Sequence, residues 1–215
     1  DNGQFELTLS FDDALIACDN SFLFKIMAKE IALKEGLILS FMPKPIPDRG
    51  GSGLHINFSL EDKTNSNIIA PDGKLSDIAK NSVSGLLKHH ESLSALLAPT
   101  VNSYDRLQPA SMAGYWANWA EDHRLVTVRT SSSSPKSSRI EHRMADGSSN
   151  PYLAVSAVLQ ASLLGIKNNT CKDSFDLFEG LFKLELHDFE MFIGRDSISK
   201  MLNIQKHNFE VVQNM

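Results

Sequence analysis

The sequence predicts an α+β fold. Two patterns carry that reading. Short stretches alternate apolar and polar residues, as half-buried strands do, and longer ones repeat apolar residues at helical spacing. Size is a third observation: 215 residues, 42% hydrophobic and 22% charged, suffice to bury a core without staples. Together they predict at least five strands and four helices.

Residues 5–11 alternate strictly, with Phe5, Leu7, Leu9 and Phe11 on one face and Glu6, Thr8 and Ser10 on the other. Asp19 or Asn20 can cap the next element. Residues 21–35 are expected to form a helix with an inward stripe of Leu23, Ile26, Met27, Ile31 and Leu33, stopped by Gly36. Residues 37–42 form a continuous apolar run and predict a buried strand. A loop with three prolines and three glycines follows, then a strand that opens on His55. Its alternation sets His55, Asn57 and Ser59 opposite Ile56, Phe58 and Leu60. Such a polar face, entered through glycines, is a floor for a polar ligand or else a hairpin with a surface histidine.

Residues 61–72 are turn-rich, and 76–90 predict a helix ending at His89-His90. Adjacent histidines cannot share a helix face, so favourable placement against the helix dipole explains them better than a metal. A short helix is expected over 91–97. Residues 98–114 predict a long loop dense in Pro, Asn, Tyr and Arg, the kind that usually carries function. Tyr115, Trp116 and Trp119 form an aromatic cluster. Strands are predicted over 123–130 and 139–143, separated by a serine-rich loop. The second places Arg139, Glu141 and Arg143 on one face. That arrangement is a surface ion-pair ladder or a metal ligand beside anion-binding arginines. Asn150-Pro151 opens a long helix to about residue 166, with proline at its first position. Scattered aromatics occupy 175–193, and 196–212 predicts a last amphipathic helix.

Net charge is −5, spread along the chain, which argues against nucleic acid as partner. No apolar run reaches the ~18 residues that span a bilayer, so no membrane role is expected. Cys18 and Cys171 lack metal-type spacing and read as free thiols of a reducing, cytoplasmic compartment. The chain starts without methionine inside a predicted strand and is expected to be part of a longer protein. No P-loop or dinucleotide glycine pattern is present.

Five stretches, in order, resemble signatures of the glutamine synthetase family. They are residues 41–60, Asn102-Ser103-Tyr104-Asp105-Arg106-Leu107, His123-Arg124 through Arg129, Arg139-Ile140-Glu141-x-Arg143, and Asn150-Pro151-Tyr152-Leu153. The resemblance runs from Gly3 to about Lys167 and weakens beyond. It implies a curved, mainly antiparallel sheet backed by helices, residues 1–215 being a partial catalytic domain. The family's small N-terminal β-grasp domain and first metal carboxylates are expected upstream of residue 1. It also implies an ATP-dependent ligase that joins ammonia or an amine to L-glutamate through γ-glutamyl phosphate, in a homo-oligomeric ring whose sites are shared between subunits.

Residue by residue, the resemblance implies that Glu6 serves one divalent-metal site, and that His55 and Glu141 bind the neighbouring ion, Mg²⁺ or Mn²⁺. Gly51, Arg106 and Arg143 correspond to glutamate contacts, and Arg124 to the arginine on the transferred γ-phosphoryl group. Arg129 and Arg139 correspond to nucleotide-phosphate contacts, and Ser59 lies where the family places a residue near the adenine. Three positions depart from pattern. Asn57 replaces a second histidine, Gly50 replaces an asparagine, and Met112 stands where the family has the glutamate that binds and deprotonates ammonium. An apolar side chain cannot hold NH₄⁺, but it can line a pocket for a bulkier amine. An inactive, structural relative is the alternative implied.

Overall fold

The computed structural model describes residues 3–109 and 111–170. The expectations for Cys171, for the aromatics of 175–193 and for the helix at 196–212 lie outside these residues. Five α-helices and four short strands follow in the order α1 (Ala14–Lys34), β1 (Ile56–Phe58), α2 (Asp77–Lys88), α3 (His90–Leu97), α4 (Val101–Arg106), β2 (Trp119–Glu121), β3 (Val128–Ser131), β4 (Arg139–His142) and α5 (Pro151–Asn168). The strands form one sheet in the order β1-β4-β3-β2. β4 pairs antiparallel with β1 and β3, and β2 pairs parallel with β3. The fold is therefore α+β with a mainly antiparallel sheet. None of the described helices is long and apolar enough to cross a membrane.

Register decides what the sheet can do. Asn57 and Arg129 are the direct partners of Glu141 on either side. Partners share a face, so one side of the sheet is polar. The other carries Ile56, Val128, Ile140 and His142, all buried.

Behind that face lie α2 and α5. Ser76 caps α2, accepting from the Ala79 amide at 3.2 Å. Asn150 caps α5 by accepting from the amides of Tyr152 and Leu153, and Pro151 takes the first helical position, as expected. The two helices meet glycine to glycine. A Cβ on Gly165 would lie 2.1 Å from the Asn81 carbonyl oxygen, and one on Gly85 2.2 Å from that of Ala161. Backbone touches backbone there, and Ser82 hydrogen-bonds Ser162 across the same seam.

Several expectations change. Residues 5–11 form no strand, and Phe5 and Phe11 are 85% and 99% exposed. Alternation marks a face to bury, but a strand also needs a neighbour for its backbone, and this stretch joins neither end of the described sheet. The same holds for 37–42, where Ile38 is 97% exposed. α1 starts at Ala14, well before the expected residue 21, and Asp19 is no cap: its carboxylate accepts from the Tyr152 hydroxyl at 2.6 Å. Of α1 only Cys18, a free thiol, is buried, and the predicted inward stripe lies exposed. α1 is held instead by Phe22 against Tyr152 of α5 and by Lys25, which donates to the carbonyls of Gly147 and Ser149 in the turn before α5. The expected strand 123–130 begins only at Val128, because 122–127 is the tight connection between β2 and β3. The long loop 98–114 contains α4, nucleated by a reciprocal Thr100–Ser103 capping box.

His142 is fully buried on the core face, with neither ring nitrogen hydrogen-bonded among the described residues. Burial, then the nearby His90, lowers its pKa from 6.5 to about 3. The native imidazole therefore stays neutral where the unfolded one takes a proton. Stability is expected to fall as pH drops from about 6.5 towards 3, by up to about 1.4 kcal/mol per unit. Urea unfolding across that range checks it, and His142→Phe should flatten the slope.

Candidate active site

Glu141 stands at the centre of the polar sheet face. Its Oε1 accepts from Arg143 Nη1 at 2.7 Å and lies 3.1 Å from His55 Nδ1, and its Oε2 accepts from Arg129 Nη1 at 3.4 Å. Burial alone would raise its pKa. The His55 hydrogen bond and the charges of Arg143, His55 and Arg129 outweigh that, holding it near 2. At neutral pH it is an ionised carboxylate ringed by cationic groups. A proton on His55 Nδ1 satisfies Glu141 and leaves Nε2 as a lone-pair donor.

Arg129 also reaches Asp122 at 3.3 Å, and Arg139 donates from Nε to Asn57 Oδ1 at 3.1 Å. The residue standing for the family's second histidine is thus an acceptor for an arginine. Arg106, in the last turn of α4, is buried under the glycine loop and donates to the carbonyls of Met144 (2.7 Å) and Arg143 (3.3 Å). Gly51 and Gly53 are required there: a Cβ on Gly51 would lie 2.9 Å from Arg106 Cγ, and one on Gly53 2.7 Å from Arg106 Nη2 and 3.2 Å from His55 Nε2. Asn102 clamps the loop by accepting from the Lys44 amide and donating to the Lys44 carbonyl.

Six of the residues singled out from sequence therefore share one neighbourhood: Gly51, His55, Arg106, Arg129, Glu141 and Arg143. Arg139 joins its edge through Asn57. Ser59 lies further along, its hydroxyl donating to the Ser138 carbonyl at 3.0 Å. Arg124 is exposed in the β2–β3 connection. Glu6 is exposed near the loop, and Gln4, two residues before it, donates to the Gly51 carbonyl at 2.7 Å. Glu6 does not join His55 and Glu141: among the described residues no three His, Cys, Asp or Glu side chains are grouped to hold a metal. Sequence reasoning missed Asp122, whose partner becomes visible only once β3 is in register. It also missed Lys25, whose signal was an ammonium between the apolar residues of α1.

A sheet face of this kind suits anionic ligands: it is the charged side of an α+β domain, with arginines that survive desolvation and a glycine loop above them. The family model for the glutamine synthetase catalytic domain matches residues 1–175. A glutamine synthetase of Clostridium saccharobutylicum is 42% identical over 169 residues, which cover 78% of this chain and 38% of that protein. A solved GmaS/ADP complex superposes with a TM-score of 0.68 at 35% identity, covering 78% of this chain and 40% of that one. Plasmodium falciparum glutamine synthetase gives 0.70 at 32% identity, covering 74% and 32%. The chain belongs to the glutamine synthetase family. It spans less than half the length of these relatives. A short match to the TYRAAT1-like C-terminal domain, residues 161–191, runs mostly beyond the described residues.

Proposed function

We infer that the full-length protein is an ATP-dependent carbon–nitrogen ligase that forms a γ-glutamyl amide from L-glutamate and ammonia or an organic amine. The observation that carries this reading is the ionised Glu141 held among His55, Arg129 and Arg143. Family membership supports it, and so does a structural relative described in complex with ADP. In this reading Arg106, Arg143 and the Gly51 backbone hold glutamate. Arg129 and Arg139 meet the nucleotide phosphates, Ser59 lies by the adenine, and Arg124 neutralises charge on the phosphoryl group in flight. A γ-carboxylate oxygen attacks the terminal phosphorus and ADP leaves with the bond's electron pair. The amine nitrogen then attacks the acyl carbon, phosphate departs, and the nitrogen gives up a proton to a nearby base.

The residues fit part of a Mg²⁺ or Mn²⁺ shell. Glu141 would supply a carboxylate oxygen and His55 a ring nitrogen, while such ions take further oxygens from water and phosphate. Bound there, the ion would lower the charge barrier to phosphoryl transfer. Glu6 would serve a second ion.

Met112 bears on the acceptor. It is exposed, with a left-handed backbone (φ 55°), and it brings a thioether where ammonium needs an anion. An organic amine with an apolar part is the acceptor this favours. The test is ADP formation by the full-length protein with ATP, Mg²⁺, glutamate and a panel of amines. No turnover with any amine, while ATP still binds, would support an inactive relative instead. Met112→Glu is expected to raise kcat/KM for ammonium relative to alkylamines by about tenfold or more, the scale of one well-placed polar contact.

A further inference from the structure

We propose that Asp146 is a positioning residue that fixes the Arg106 guanidinium for the carboxylate of the amino-acid substrate. The proposal rests on Arg106 binding glutamate, as inferred above. Asp146 follows β4 and is fully buried. A buried carboxylate is costly unless compensated. Its Oδ1 accepts from the Ser148 amide at 2.8 Å and the Ser148 hydroxyl at 2.6 Å, closing the turn before α5, whereas Oδ2 has no hydrogen-bond partner among the described residues.

The surrounding backbone explains where that oxygen's charge is spent. Residues 145–147 are laced to the glycine loop: Leu54 N donates to Ala145 O at 2.8 Å, Gly147 N to Ser52 O at 3.0 Å, and Gly53 bridges Asp146. Arg106 is trapped in that seam, with Gly51 and Gly53 on one side and the Arg143 and Met144 carbonyls on the other. Lys25 binds the carbonyls of Gly147 and Ser149 on the same turn. Asp146 makes no ion pair within 4 Å among the described residues, but its charge acts on both cations, favouring their protonated forms. Burial lowers the Arg106 pKa, Asp146 opposes that and Arg143 adds to it, and the balance is about 10. Without that anion, the Met144 and Arg143 carbonyls alone hold a desolvated guanidinium beside a second one.

The experiment is steady-state kinetics and thermal unfolding of the full-length protein as wild type, Asp146→Asn and Asp146→Ala. Asn keeps the Oδ1 acceptor for Ser148 and removes only the charge. The proposal expects Asp146→Asn to raise KM for glutamate about tenfold or more, with KM for ATP within about twofold and little change in Tm. Asp146→Ala should add a loss of Tm. In an Arg106→Lys background Asp146→Asn should raise the glutamate KM much less, since the two act as one unit. Equal rises in both KM values, or an Asp146→Asn protein that does not fold, would assign the residue a structural role and overturn the proposal. A wild type that turns over glutamate, with an Asp146→Asn variant indistinguishable from it, overturns the positioning role alone. A wild type with no glutamate-dependent turnover removes the ligase reading and this proposal with it.

Discussion

Glu141→Gln is expected to lower ligase turnover by about 100-fold or more, the scale of losing a charged group at a phosphoryl-transfer site, and to destabilise the fold. Glutamine keeps the shape and removes the charge. His55, Arg129 and Arg143 then face one another across an uncharged amide, and Arg143, itself buried, keeps an acceptor but loses the negative charge of its 2.7 Å partner. Breaking one side of a buried charge cluster costs more than the cluster is worth intact, because the remaining charges stay desolvated. The size can be bounded. A carboxyl group at about 2 in the native protein and 4.5 when unfolded stabilises the folded state at neutral pH. Allowing for the solvent that reaches this face, that contribution is about 2 kcal/mol. The sign follows from the lowered value: the stabilisation is complete above pH 4.5 and is lost as pH falls towards 2. Wild type and Glu141→Gln should therefore differ in urea midpoint by a constant amount above pH 5 and converge in acid. A constant difference down to pH 2 would mean the carboxylate is not held ionised by its neighbours.

Gly165→Ala is expected to cost about 3 kcal/mol or more, against a helix-propensity gain of about 1 kcal/mol for alanine over glycine. The added methyl would sit 2.1 Å from the Asn81 carbonyl and 2.7 Å from Gly85 Cα, both backbone atoms that no rotamer change can move. Only separation of α2 from α5 relieves the overlap, and that opens the core around Val83, Leu86 and Val158. Gly85→Ala meets the same obstacle, so the double variant should cost less than the sum of the two. Lys167→Ala, on the exposed side of α5, should stay within about 0.5 kcal/mol. Thermal unfolding of the four variants beside wild type decides it. A stabilised Gly165→Ala would show that the helices do not pack backbone to backbone.

Local pattern announced most of the helices and the chemistry of β4, but not who stands next to whom. Period-two spacing put Arg139, Glu141 and Arg143 on one face, and the structure keeps them there. That His55 and Arg129 would flank the same carboxylate depends on register between β1, β4 and β3, which spacing within a single strand cannot specify. α5 was legible from Asn150 and Pro151, residues that act within their own turn, and α2 from its apolar spacing. α4 escaped because its cap pairs threonine with serine rather than with glutamate. β2 escaped because its three residues, Trp119 to Glu121, read as part of an aromatic cluster. Residues 5–11 were over-read for the opposite reason: their alternation was real, but no described strand accepts it. The candidate site was named from family signatures, and its wiring (Asn57 to Arg139, Asp122 to Arg129) emerged only in three dimensions.

The six-residue turn between two parallel strands leaves Arg124 projecting into solvent while its fellow guanidiniums are tethered. An unanchored arginine carries about 2 kcal/mol of rotational disorder that a ligand must remove on capture. If Arg124 meets a phosphate as proposed, part of the attraction is consumed in ordering the receptor, and a nucleotide would be gripped less firmly at rest than its charge suggests. The same looseness would ease release of a spent product.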